Sequence, residues 1–376
     1  NINSMKVIVI FTYGISLKHW VDSGIYDREM LLYQGLEKEH GIEFTFITFG
    51  DSEDLKYFKG FDKSNILPVY SRIKHSKLNF FNFIKSIYFS FSLSKEFTDC
   101  QLIKTNQLSG SWIGIILKKV LGIPLIVRTG YNIYEFKVKE NKSVLVQTFY
   151  KYLTKLSLKY SDLYIVTSNK DNIFLQNMVG TNTNIMVIPN YVPKINLNEA
   201  DSRHINKIIS VGRLEKQKNF FDLLKHLKQT EFEIDIVGDG SERSKLIEFA
   251  KKENIKVNFL GKLEFQNLNN LYKEYKIFIS NSSFEGNPKT ILEAMANGCC
   301  IVATNIESHR EIVVDEVNGF LYEEVSNVKA IIAKVMSDVN IFNKISRNNY
   351  DVVEQKYLLD LIKDKEVEIY RKLIKN

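Results

Sequence analysis

The sequence predicts an α/β protein of two successive doubly wound domains, each a parallel sheet with helices on both faces. Three observations carry this. The 376 residues exceed one ordinary α/β core and suffice for two. Short apolar runs alternate with amphipathic segments of helical length, the pattern of parallel strands joined by crossover helices. The alternation lapses once, at 194–206, into a polar stretch, and then restarts.

In the first half, strands are expected at 7–11, 43–49, 101–104, 124–128, 163–167 and 185–188. Helices are expected at 26–39, 78–97, 109–121, 143–160 and 170–178, giving a first domain over 5–193. The second domain, 207–340, repeats the scheme with strands at 207–211, 233–237, 256–260, 277–280 and 300–304. Its helices are expected at 220–228, 241–251, 267–272, 289–297 and 328–336. A charged helical tail, 341–376, is expected to pack back toward the first domain. Two such halves would face each other across a cleft at the carboxyl ends of their strands, where folds of this kind bind ligands.

Composition narrows the class. Apolar residues at 44% and charged residues at 25% are the balance of a globular protein, and five prolines rule out long proline-rich linkers. No apolar run approaches the ~18 residues of a membrane span. Residues 5–10 read as a buried strand rather than a leader, with the four residues before Met5 as a remnant, so a cytoplasmic protein is expected. Cys100, Cys299 and Cys300 form an odd set, two of them adjacent in an apolar run, as in a reduced core. No Cys/His spacing suits a metal, and none is expected. A net charge of +7 suits nucleic acid, an anionic membrane or a polyanionic substrate without choosing among them. The basic residues form no recognised nucleic-acid module, so no nucleic-acid partner is expected.

Three segments of the second half carry chemistry. In the first, Gly212 permits a turn after a strand, and Arg213 and Lys218 flank the entry to a helix, where two cations suit a diphosphate. A solvated loop is the plainer alternative for that segment alone. The second, 236–243, has Gly238 and Gly240 at a strand-to-helix turn, but Arg243 stands where a dinucleotide fingerprint needs glycine. A plain βα turn is the better reading, which argues against a nicotinamide-dependent oxidoreductase. The third runs from Ser283 to Gly298. Asn287 reads as an N-cap and Pro288 as the first helical residue, so the N–H groups that follow form an anion site. Capping accounts for Asn287, Pro288 and the closing Gly298, but not for Glu285 or for Glu293 among packing residues.

Together these residues resemble the donor domain of family-4 glycosyltransferases, retaining enzymes of the GT-B fold with two Rossmann-like domains. The likeness extends from Lys207 to about Tyr322, and its most specific mark is Glu285 and Glu293 with seven residues between them. It implies that Arg213 and Lys218 neutralise the diphosphate of a UDP- or GDP-sugar. Glu285 would contact the transferred sugar and Glu293 the ribose. Gly212, Gly286, Asn287, Pro288 and Thr290 would line the donor. No metal or other cofactor is implied, since fixed cations and a helix N-terminus can meet the leaving charge. A saccharide or lipid-linked acceptor in bacterial surface polysaccharide or glycolipid assembly is implied, the alternative being a sugar-nucleotide-binding module without turnover.

The first half resembles the family less. Gly14 is the one glycine in the first loop where relatives often have two. The middle strand ends at Arg128 with no histidine nearby, and Asn190 stands in a Pro-Asn pair. Gly14, Arg128 and Asn190 are the candidate acceptor or cleft residues. Residues 63–95 hold six lysines and arginines, no carboxylate, and a row of aromatics on one helical face. Contact with an anionic membrane surface is one expectation for that segment, and a core-facing helix beside a basic loop is the other.

Overall fold

The computed structural model describes residues 5–180, 184–195, 203–228 and 230–375. The chain forms two compact units, one of residues up to Pro189 with those from Ile362 onward, the other Asn190–Leu361. The polar stretch 196–202, central to the expected linker, lies outside the described residues.

The first unit holds β1 (Lys6–Ile10), β2 (Glu43–Thr48), β3 (Asn65–Pro68), β4 (Leu102–Thr105), β5 (Leu125–Arg128), β6 (Leu163–Val166) and β7 (Ile185–Val187). They form one parallel sheet in the order β3-β2-β1-β4-β5-β6-β7. All four residues of β4 are buried, and one of them is Lys104. Its side chain has 0% exposure and donates to Glu366 Oε2 at 2.7 Å and to the Tyr370 hydroxyl at 3.1 Å. Both partners sit on the helix Leu359–Lys375.

The second unit holds β8 (Lys207–Val211), β9 (Glu233–Val237), β10 (Val257–Gly261), β11 (Ile277–Ser280), β12 (Cys300–Thr304) and β13 (Gly319–Tyr322), all parallel, in the order β10-β9-β8-β11-β12-β13. Alternate residues feed two cores. Ile208, Ile234, Ile236, Ile277 and Ile279 meet the helices Phe220–Leu227 and Val328–Ser337. On the other face Ile209, Val211, Phe278 and Ile301 meet the helix Lys289–Ala296. Strands covered on both faces read as uninterrupted apolar runs.

Two strands were not expected, β3 and β13. Both are edge strands, and β3 is four residues long with an exposed Asn65 and a terminal Pro68. The tail is two helices, Val339–Lys356 and Leu359–Lys375. Between them Val192 N donates to Tyr357 O at 2.8 Å and Leu359 N to Val192 O at 2.9 Å. The first helix packs within the second unit, where Asn349 Nδ2 donates to Cys299 O at 2.9 Å; from Ile362 the second helix belongs to the first unit.

Candidate active site

Strand order in the second unit reverses between β8 and β11, which are paired neighbours. The helices that follow go to opposite faces, so the chain parts at the two carboxyl ends and opens a crevice there. Both glutamate- and cation-bearing segments begin at this point, 212–219 after β8 and 281–288 after β11.

Hydrogen bonds tie the segments together. Ser283 N donates to Gln217 O at 2.9 Å. Gln217 Nε2 donates to Phe284 O at 2.7 Å and to Glu285 Oε2 at 3.3 Å. The Lys218 ammonium pairs with Glu285 Oε1, which also accepts from Ser282 Oγ at 2.8 Å. Burial alone would raise the Glu285 carboxyl, but the Lys218 charge and the hydrogen bonds from Lys218 and Ser282 hold it below the usual carboxylate range. The lysine stem crosses Gly212, where a Cβ would stand 2.9 Å from Lys218 Cε. Arg213 differs. It is exposed, and among the described residues nothing accepts a hydrogen bond from its guanidinium.

The turn at 238–240 supports this loop from behind. Gly238 has φ +139°, and a Cβ there would fall 1.9 Å from Gly212 O; one on Gly240 would fall 2.5 Å from Leu214 O. These glycines let one backbone approach another, which is the plain-turn reading of the segment.

One expectation is corrected. The helix runs Lys289–Ala296, with Pro288, at ψ 103°, as its N-cap and without a side-chain cap bond. Asn287 does not cap it, because its Oδ1 accepts from Asn190 N at 3.1 Å while Asn190 Nδ2 donates to Asn287 O at 2.7 Å. Gly286 and Thr290 are half-buried on either side of this bend. Gly298 ends the helix as expected: at φ +73° it donates to Met295 O at 2.9 Å, and Cys299 N reaches Ala294 O at 3.0 Å. Glu293 is 2% exposed, and its Oε2 accepts from the Tyr272 hydroxyl at 3.4 Å.

Sequence reasoning missed Ser282, Gln217, Tyr272 and His309. Ser282 and Gln217 are close neighbours of Glu285 and Lys218 in the chain, whereas the fold brings Tyr272 and His309 in from distant segments. His309 is fully buried; its Nδ1 lies 2.8 Å from Thr304 O, and its Nε2 has no hydrogen-bond partner among the described residues. Burial pushes the imidazole down to about 4, against the opposing effects of the hydrogen bond with Thr304 O and the Glu285 charge. The folded pKa lies below the unfolded value, so the unfolded chain binds the extra proton first. The contribution is complete above about pH 6.5 and is lost as pH falls toward 4. Urea unfolding is expected to show a loss of about 2 kcal/mol between pH 6.5 and pH 5, absent from His309→Gln.

Comparisons with known proteins bear on this region and on the fold. Residues 198–351 match the family model of glycosyl transferases, group 1. An Escherichia coli UDP-Gal:α-D-GlcNAc-diphosphoundecaprenol α-1,3-galactosyltransferase is 27% identical over 72% of this chain and 76% of its own. A Campylobacter jejuni α-1,4-N-acetyl-D-galactosaminyltransferase, acting on an undecaprenol diphosphate-linked saccharide, is 24% identical over 55% of this chain and 60% of its own. Among solved structures, HepE of Anabaena in complex with UDP superposes with TM-score 0.75 at 16% identity, covering 98% of this chain and 100% of that one. The sucrose-phosphate synthase of Thermosynechococcus elongatus gives 0.80 at 17%, covering 98% and 99%. The fold is GT-B.

In the first unit of this GT-B chain the order reverses between β1 and β4, and Gly14 lies just beyond β1. It lines a cavity of about 500 Å³ with Tyr13, Ser16, Asp51, Tyr70 and Asn82. The Tyr13 hydroxyl is buried with no hydrogen-bond partner among the described residues, and burial raises it to about 12. Arg128 is elsewhere. It is buried beside the Lys104–Glu366 pair, whose lysine feels its charge. Asn190 belongs to the second unit, on Asn287.

Proposed function

We propose that the chain is a retaining glycosyltransferase that moves a sugar from a UDP- or GDP-sugar to a saccharide or lipid-linked acceptor, without a metal. The carrying observation is the joining of 217–218 to 282–285 at the β8/β11 reversal. Relatives named for undecaprenol diphosphate-linked acceptors, and a structural neighbour in complex with UDP, support the substrate classes.

In this reading the bond from the anomeric carbon to the diphosphate oxygen breaks, and negative charge grows on the leaving group. Arg213, Lys218 and the N–H groups opening Lys289–Ala296 meet that charge. The acceptor oxygen bonds to the anomeric carbon on the face the diphosphate leaves, and its proton passes to a phosphate oxygen. Glu285, kept ionised by Lys218, accepts hydrogen bonds from the sugar hydroxyls. The cavity at Gly14 would receive the acceptor.

Incubating UDP- and GDP-sugars with a lipid-linked saccharide and following released nucleoside diphosphate tests the reaction. Release that depends on acceptor is expected; none with any donor would remove the proposal. Glu293 is assigned to the ribose, so Glu293→Ala should weaken nucleotide binding by about tenfold, as for one lost charge-assisted hydrogen bond. Unchanged affinity by calorimetry would end that assignment.

A further inference from the structure

The helix Asn79–Leu93 faces the opposite way from an ordinary surface helix. Inward it turns Asn82, Ser86, Phe89, Ser90 and Leu93, and outward Phe80, Phe81, Ile84, Tyr88 and Phe91, with Phe80 69% and Tyr88 78% exposed. Hydrogen bonds fix this orientation. Asn82 Nδ2 donates to Ser76 O at 2.8 Å, and Ser86 Oγ accepts from Trp112 Nε1 at 3.0 Å. The aromatic face is therefore held outward by satisfied polar groups on the inner one.

A second helix does the same. Val144–Tyr160 buries Leu153, Thr154, Ser157 and Leu158, and exposes Val144, Leu145, Phe149, Tyr152 and Leu156, with Leu145 at 83%. The two helices adjoin. Both pack on Ser111–Leu121, where the Phe83 ring lies 5.0 Å from Trp112 and 6.5 Å from Phe149. Their outer faces thus form one apolar surface within the first unit. Its charge has a single sign: Lys151, Lys155 and Lys159 are exposed on a helix with no carboxylate, and 63–95 has none either. No helix is long and apolar enough to cross a membrane among the described residues.

We propose that this two-helix face docks on an anionic lipid bilayer, its aromatic and aliphatic side chains entering the headgroup layer and its lysines meeting lipid phosphates. The charge selects this occupant over a second copy of the chain, since a symmetric contact would set lysines against lysines. On the inward side of Asn79–Leu93, Asn82 lines the cavity at Gly14, so that cavity lies about one helix diameter, ~10 Å, from the bilayer. A lipid-linked acceptor could then enter without leaving the membrane, a consequence that rests on the proposed transfer reaction. The docking itself does not.

The test is co-sedimentation of the full chain with vesicles of phosphatidylcholine alone or mixed with phosphatidylglycerol, without substrates. Binding is expected only with phosphatidylglycerol and should weaken in high salt. Phe80→Ser with Tyr88→Ser, Leu145→Ser with Phe149→Ser, and Lys151→Glu with Lys155→Glu should each reduce it about tenfold or more. The lysine pair is fully outward and keeps the test valid where an apolar pair misfolds. Absence of binding, equal binding to both vesicles, or wild-type binding by the lysine pair would overturn the proposal. So would a dimer in sedimentation velocity that the same substitutions dissociate, in a chain that ignores vesicles. Sugar transfer is not read, so failure here is distinct from failure of the transferase reading.

Discussion

Arg213→Ala is expected to lower kcat/KM about 10²–10³-fold, equivalent to the ~2.7–4 kcal/mol of transition-state stabilisation that one preorganised donor supplies. The reason lies in how the two cations at the end of β8 differ. Lys218 is paired with Glu285, so its charge is already shared. Arg213 is exposed and makes no side-chain hydrogen bond among the described residues, feeling only the charge of Glu215, so in the proposed mechanism its fork of donors is left to meet the leaving diphosphate. Arg213→Lys should recover part of the loss, because it restores a point charge without the planar fork. Neither change should move the thermal midpoint by more than about a degree or two, since the side chain is exposed and makes no hydrogen bond among the described residues. Near-normal release of nucleoside diphosphate by the alanine variant would count strongly against the proposed mechanism.

Glu366→Ala is expected to destabilise the chain by about 3–5 kcal/mol, the cost of leaving a buried charge without its counterion. Lys104 and Glu366 both have side chains with 0% exposure. Burial pushes the Lys104 ammonium below its ordinary range, Glu366 pulls it back, and the neighbouring Arg128 pushes it down again. Without the carboxylate the lysine would favour its neutral form more strongly. The unfolded chain would then bind more protons than the folded one, so the variant should regain stability as pH rises toward its unfolded pKa of 10.5. Urea titrations near pH 7 and about pH 9 would measure this. Lys104→Met combined with Glu366→Leu should unfold at or above the wild-type midpoint, because an apolar pair carries no desolvation penalty. A wild-type midpoint for Glu366→Ala alone would show that the pair contributes nothing.

Four strands of the second unit were legible to the residue, while the buried β4, β5 and β6 of the first were read to within one. Lys207–Val211, Glu233–Val237, Ile277–Ser280 and Cys300–Thr304 stand where their apolar runs begin and end. The edge strands β3 and β13 were not read, although the edges β7 and β10 were. Glu285 and Glu293 were marked by resemblance to the family's donor segment, and the structure pairs the first with Lys218 and buries the second. Tyr272 and His309 were not marked, for only the fold brings them in. The cap at Asn287 failed for a similar reason: its oxygen is taken by Asn190, 97 residues away. Periodicity disclosed the aromatic stripe of Asn79–Leu93 but not its direction, which Trp112 and Ser76 settle.

The separation of Lys104 from Glu366 by 262 positions sets an order of events during synthesis. A ribosome releases all of β1–β7 long before it makes the carboxylate that neutralises the lysine in their midst. The second unit, continuous in the chain, can finish first, while the earlier-made sheet waits half-built for its last helix. The nascent chain should therefore expose an unfinished core through most of its translation, and would be a natural client for chaperones that shield such surfaces.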